Sequence, residues 1–199
     1  MTTSVRLATE ADAAAVAAIY APFCESTPVS FEEAAPSVAE MAGRIRKTLE
    51  HFPWLVLDDG GVVAGYAYAS KHRERPAYRW AVDVSVYVDA RFRRRGVGRA
   101  LYVALLALLR LQGYFKAYAG VALPNPGSVG LHTAVGFEPV GVYRGVGYKR
   151  GAWHDVGWYQ LALQPECLSP EAPRPVAAVV HSPAGREALA SGMSHFRQN

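Results

Sequence analysis

The sequence predicts an α/β domain, a mixed sheet with helices on its faces. Three observations predict it. Helical and strand-like stretches alternate along the 199 residues. An Asp-Asp-Gly-Gly turn joins two β-rich runs. A further apolar strand runs into a helix opened by glycines and arginines.

Thr9 with Asp12 reads as a helix start, followed by Val16, Ile19, Tyr20 and Phe23 at helical spacing. Ser37 and Glu40 form a capping box ahead of Met41, Ile45 and Leu49, which share one face of a second helix. "WLVLDDGGVVAGYAYA" is a hairpin, and "WAVDVSVYVD" a strand whose apolar run Asp83 interrupts. Residues 96–111 form a helix and "YFKAYAGVAL" a strand. A short helix covers 128–135 and stops at Gly136, and "GVYRGVGYKRGAWHDVGWYQLAL" supplies a closing pair of strands. The order is ααβββαβαβ with one more strand at the end. A domain over 1–164 is followed by an extension, 165–199, that holds five of the thirteen prolines. The extension is therefore expected as an extended tail on the surface or on a neighbouring subunit, with one helical turn near 185–189.

Composition narrows the function classes. With 51% hydrophobic and 19% charged residues the chain is a globular protein. Its first residues lack the apolar core of a signal peptide, and the longest apolar run is too short to span a bilayer, so a cytoplasmic protein without a membrane partner is expected. Cys24 and Cys167 have neither CxxC spacing nor a histidine cluster, which gives no disulfide framework and no metal site. The net charge of +4 permits an anionic partner. Its arginines concentrate at Arg91, Arg93, Arg94, Arg95 and Arg99 around Gly96-Val97-Gly98. Backbone N–H groups and a helix dipole at such a turn suit a pyrophosphate. A nucleic-acid patch is disfavoured because aromatic residues are not interleaved and no DNA-binding motif is present.

Arg-x-x-Gly-x-Gly after a strand resembles the acetyl-CoA signature of the GCN5-related N-acetyltransferases (GNAT). Residues 125–137 resemble that superfamily's later N-x-x-S-x-x-L-x-x-x-x-G-F element. "FPWLV", "AYRWAVDVSVYV", "LPNPGSVGLHTAVGF", "GYKRGAWHDVGWYQ" and "APRPV" closely resemble the phosphinothricin N-acetyltransferase family over roughly residues 5–178. The resemblance implies a GNAT fold, with a mostly antiparallel sheet splayed in the middle, and a homodimer. It also implies acetyl-CoA as co-substrate and a small amino-acid-like amine of the phosphinothricin or methionine sulfoximine type as acceptor. The acetyl group would pass directly in a ternary complex.

By the same resemblance, Val86, Tyr87 and Val88 pair with the pantetheine arm. Arg93, Arg94, Arg95, Gly96, Val97, Gly98 and Arg99 surround the phosphates, and Asn125 bonds the arm farther along. Asp83 stands where the family has its catalytic Glu and is one methylene shorter; a salt bridge to a nearby arginine is the other reading of a carboxylate in an apolar strand. His132 is a candidate acid for the leaving thiolate or a substrate contact, against the reading of an ordinary helix histidine. Phe31, Tyr68, Arg73, Arg75, Tyr78, Ser85 and His154 match the substrate pocket, though His154 and Asp155 could instead pair with each other. Acetylation of another amine or a protein N-terminus, and a non-catalytic acyl-CoA-binding module, remain as alternatives.

Overall fold

A computed structural model describes residues 3–198. Seven strands form one sheet: β1 (Thr3–Leu7), β2 (Trp54–Asp59), β3 (Val62–Lys71), β4 (Ala81–Val88), β5 (Lys116–Leu123), β6 (Glu138–Lys149) and β7 (Ala152–Ala162). Their order across the sheet is β1-β2-β3-β4-β5-β7-β6, and β4–β5 is the one parallel pair among them. The helices are α1 (Ala13–Glu25), α2 (Val38–Leu49), α3 (Val97–Gln112), α4 (Pro126–Ala134), α5 (Ala177–Val180) and α6 (Pro183–Ser191). The α/β expectation therefore holds, with a mixed and mostly antiparallel sheet.

Local signals act as read. Ser37 Oγ accepts the Glu40 N–H at 3.2 Å, and Glu40 Oε2 accepts the Ser37 N–H at 2.8 Å, so two orphan donors at the start of α2 are satisfied. The β2–β3 turn places Gly60 at φ 67° and Gly61 at φ 94°, the doubly left-handed backbone that a two-residue hairpin requires.

Two cores result. Val16, Ile19, Tyr20, Met41 and Ile45 of α1 and α2 pack on Trp54, Val56 and Tyr66 of one sheet face. On the other face Leu101, Leu105, Leu108 and Leu109 of α3 pack on Val82, Val84 and Leu57. Side chains alternate across a strand, so on β4 the pair Val82 and Val84 faces α3 while Asp83, Ser85 and Tyr87 face the opposite side.

Two elements differ from expectation. β1 was not foreseen; it pairs with β2 from Thr3↔Asp59 to Leu7↔Leu55. The expected extended tail folds back instead. Trp80 Nε1–H donates to the Glu171 carbonyl at 2.8 Å, and Gln112 Nε2–H donates to the Arg174 carbonyl at 2.7 Å. Val176, Val180 and Ala188 are then buried in the α3 core, so α5 and α6 form because they cover apolar surface on α3.

Candidate active site

The site begins where β4 and β5 part. Their paired register runs only from Ala81↔Lys116 to Asp83↔Tyr118, while β4 continues to Val88 and β5 to Leu123. Past Asp83 a cleft opens, lined by Ser85, Val86, Tyr87, Tyr102, Gly120, Asn125 and His132, among others. A splayed pair of strands offers main-chain donors and acceptors to a ligand laid between them, which suits the amide-bearing pantetheine arm of acetyl-CoA.

At the head of this cleft stands Asp83. No arginine bridges it; the partner is His72, whose Nδ1 lies 2.7 Å from Asp83 Oδ1. An ionised carboxylate only accepts, so His72 donates through Nδ1–H. The imidazole stacks on Tyr118 with centroids 4.4 Å apart, and Tyr78 meets it edge-on at 6.0 Å. Burial pushes the Asp83 carboxyl above the usual carboxylate range, and the His72 hydrogen bond and nearby Arg73 pull it back. His72 escaped the sequence reading. The signal that finds it is the β3–β4 register, in which Ser70 faces Asp83 and so brings the residues just after β3 to the carboxylate.

His132 sits on α4 at the other wall and is buried. Its Nδ1 is 2.8 Å from the Ser128 carbonyl, and its Nε2 is 3.0 Å from the Tyr102 hydroxyl. A carbonyl can only accept, so Nδ1 carries the proton and the Tyr102 O–H donates to Nε2. Burial lowers the His132 pKa, which favours this neutral form. Tyr102, on α3, is a second residue absent from the sequence reading. Asn125 caps α4, its Oδ1 accepting the Ser128 N–H at 3.1 Å.

The remaining candidates divide. Tyr68 lies opposite Ser85 in register on the Asp83 face. Arg73 stacks 5.7 Å over the Trp158 ring, close to His72, and the exposed Arg75 caps the turn that carries Tyr78. Phe31 rests against Gly147 and His154. His154 and Asp155 do not pair: His154 Nε2–H donates to the Lys149 carbonyl at 2.9 Å, while Asp155 binds Arg144 at 2.6 Å. Adjacent strand residues point to opposite faces, which separates them. Phe31 is carried by a loop that Lys149 anchors. The buried Lys149 ammonium donates to the carbonyls of Ser30 at 2.6 Å and Glu32 at 2.7 Å, and to that of Cys24.

At the far end of the cleft, Arg93, Arg94 and Arg99 are exposed around the start of α3, and Val97 and Gly98 are buried there. Arg95 turns inward. Its guanidinium lies 4.9 Å from the Phe92 ring and 5.0 Å from that of Phe196, with Asp59 at 3.4 Å. The expected four-arginine cluster thus presents three side chains to solvent.

A sheet splayed after one parallel pair, an α3 entered through Arg-Gly-Val-Gly and a carboxylate at the cleft head form the arrangement expected of an acetyltransferase. The acetyltransferase (GNAT) domain model matches residues 5–158, and the chain belongs to that family. Within it, the chain is 41% identical over 175 residues to phosphinothricin N-acetyltransferase of Streptomyces viridochromogenes, covering 88% of this chain and 93% of that protein. It is 34% identical over 172 residues to the L-methionine sulfoximine/L-methionine sulfone acetyltransferase of Pseudomonas aeruginosa, covering 85% and 100%. The crystal structure of a phosphinothricin acetyltransferase from Sinorhizobium meliloti in complex with acetyl-CoA superposes with a TM-score of 0.81 at 35% identity, over 86% of this chain and 94% of that one. The chain is an N-acetyltransferase closely resembling the phosphinothricin type.

Proposed function

We propose that this enzyme transfers an acetyl group from acetyl-CoA to the α-amino group of a small amino acid of the phosphinothricin or methionine sulfoximine type, by direct attack in a ternary complex. The observation that carries the reading is Asp83, a carboxylate held by His72 at the mouth of the cleft where β4 and β5 separate. Relatives named for phosphinothricin and methionine sulfoximine support the acceptor class.

Acetyl-CoA supplies the acetyl group as an activated thioester. The main chain at 86–88 holds the pantetheine arm, Asn125 bonds it farther along, and Arg93, Arg94, Arg99 and the start of α3 take the phosphates. The α-amine attacks in its neutral form, and Asp83 accepts one proton from it, directly or through one water, as the nitrogen bonds to the carbonyl carbon. A backbone N–H near Val86 or Tyr87 stabilises the oxyanion. The C–S bond breaks, and the thiolate takes its proton from the Tyr102 hydroxyl, which His132 Nε2 positions as a hydrogen-bond acceptor; Tyr102 is reprotonated from solvent, to which Asp83 gives up the proton it took from the nitrogen. Arg73, Arg75 and Tyr78 receive the anionic tail of the acceptor, while Phe31, Tyr68, Ser85 and His154 shape its pocket.

Initial rates with acetyl-CoA and L-phosphinothricin varied together should give intersecting lines, with the N-acetyl amino acid as product. Parallel lines would mean an acetyl-enzyme and defeat direct transfer. A second expectation concerns pH. Asp83 works as base only when ionised, so activity falls as pH drops through its pKa. His72 lowers that pKa against the burial that raises it. His72→Phe keeps a ring on Tyr118 but removes the donor, so the acid limb of the kcat/KM profile should move to higher pH. An unmoved limb would separate His72 from the base.

The reading includes a cytoplasmic homodimer. Among the described residues no helix is long and apolar enough to cross a membrane. The edge strand β6 exposes Val140, Val142, Tyr143, Val146 and Tyr148, an apolar surface of the kind that pairs with a second copy. Sedimentation equilibrium at a single-chain mass would exclude the dimer.

A further inference from the structure

The last residues of the chain lie against the loop that opens α3. After α6 ends at Ser191, the backbone at Gly192 passes so close to the Ala100 carbonyl that a Cβ there would overlap it. Gly192 has an ordinary φ of −75°, so the glycine is needed for space rather than for conformation. Three residues later the His195 carbonyl occupies the place a side chain on Gly96 would take, and Gly96 is itself left-handed at φ 82°. Much of the demand for glycine at this turn therefore comes from the chain's own C-terminus.

The contact is reciprocal. The Arg197 N–H donates to the Arg95 carbonyl at 2.9 Å, and Arg95 Nε–H donates to the Arg197 carbonyl at 3.0 Å. The guanidinium of Arg95 is held between the Phe92 and Phe196 rings, at 4.9 and 5.0 Å, and reaches Asp59 at 3.4 Å. Cation–π contacts on two faces and a bond at the edge immobilise this side chain, which is 18% exposed. Its neighbour Arg94 has φ 63°, a left-handed backbone that costs a non-glycine residue and persists only where the surroundings enforce it. The clamp on Arg95 and the seat under Gly96 fix the two residues that follow Arg94 and supply that enforcement.

We infer that residues 192–198 are a positioning brace for the pyrophosphate loop. They hold Arg94 and the first N–H groups of α3 in the arrangement that receives the phosphates of acetyl-CoA. Arg95 acts as the clamp and touches no ligand. This inference rests on acetyl-CoA being the acyl donor. It predicts that the C-terminus sets affinity for the nucleotide half of the donor and leaves the chemistry at Asp83, at the opposite end of the cleft, unaffected.

The test compares two donors in the full-length enzyme: acetyl-CoA, and S-acetylpantetheine, which has the same thioester arm without the phosphates. Phe196→Ala removes one face of the clamp and should raise KM for acetyl-CoA about tenfold or more. It should leave kcat at saturating acetyl-CoA, and kcat/KM for S-acetylpantetheine, unchanged. Phe196→Tyr keeps the ring and should restore the low KM, whereas Gly192→Ala, which forces the segment off Ala100, should behave like Phe196→Ala. An unaltered KM in both Phe196→Ala and Gly192→Ala would overturn the brace. So would equal losses with both donors, since those would report a general weakening of the fold. A wild-type enzyme that fails to bind acetyl-CoA would instead defeat the functional reading on which the brace rests.

Discussion

Asp83→Asn is expected to lower kcat for acetyl transfer by about 10²–10⁴-fold, the range for loss of a positioned general base. The substitution isolates basicity. Asparagine has nearly the same shape, and its Oδ1 can still accept the His72 Nδ1–H now at 2.7 Å, so the ring stack on Tyr118 and the β4 backbone are retained. Binding of acetyl-CoA should also be unchanged, because the arginines at the start of α3 and the main chain at 86–88 are untouched. Calorimetric binding of coenzyme A beside steady-state rates separates the two effects. A variant with wild-type turnover would remove Asp83 from the mechanism, and one that loses coenzyme binding would make its role structural.

Lys149→Met is expected to have the largest effect on the amine side. The ammonium is buried, has no carboxylate partner among the described residues and is satisfied by the carbonyls of Ser30, Glu32 and Cys24. Methionine fills most of the same volume but leaves those carbonyls without their donor. Buried groups left unpaired cost about 1–3 kcal/mol each, and more where the lost partner was charged. Some of that cost would be relieved by the 26–32 loop moving off β6, and with it Phe31 would leave its seat on Gly147 and His154. The expected result is an unfolding free energy lower by about 3 kcal/mol and a KM for the amine raised about tenfold or more, with KM for acetyl-CoA nearly constant. Urea denaturation and kinetics with each substrate varied would check it; equal changes in both KM values would contradict the assignment of this loop to the amine pocket.

What was legible in the sequence is what local chemistry encodes. The capping box at Ser37 and Glu40, the Gly60-Gly61 turn and the glycine that opens α3 each satisfy or release backbone groups within a few residues, so a short window suffices. β1 was not legible because Thr3–Leu7 is short and mostly polar, and becomes a strand only by pairing with β2, whose partner residues lie 48 to 56 positions away. In the tail, the helical turn expected near 185–189 lies inside α6, whose start is marked by Ser182-Pro183, with Ser182 Oγ accepting the Gly185 N–H at 3.0 Å, whereas α5 was obscured by the prolines before it. Of the site, the lone carboxylate in β4 and the basic glycine turn stood out because each is costly or unusual without a ligand. His72 and Tyr102 did not stand out, since their partners are set by sheet register and by packing between α3 and α4. The inward turn of Arg95 depended on Phe196, a hundred residues later.

The most direct test of the central claim is thiol release from acetyl-CoA by the purified enzyme with a panel of amines: phosphinothricin, methionine sulfoximine, methionine sulfone, ordinary amino acids, polyamines and an N-terminal peptide. Turnover confined to the first three is the predicted result. Turnover on the peptide or polyamines with none on the first three would contradict the acceptor assigned here, and silence across the panel with acetyl-CoA still bound would contradict catalysis by Asp83.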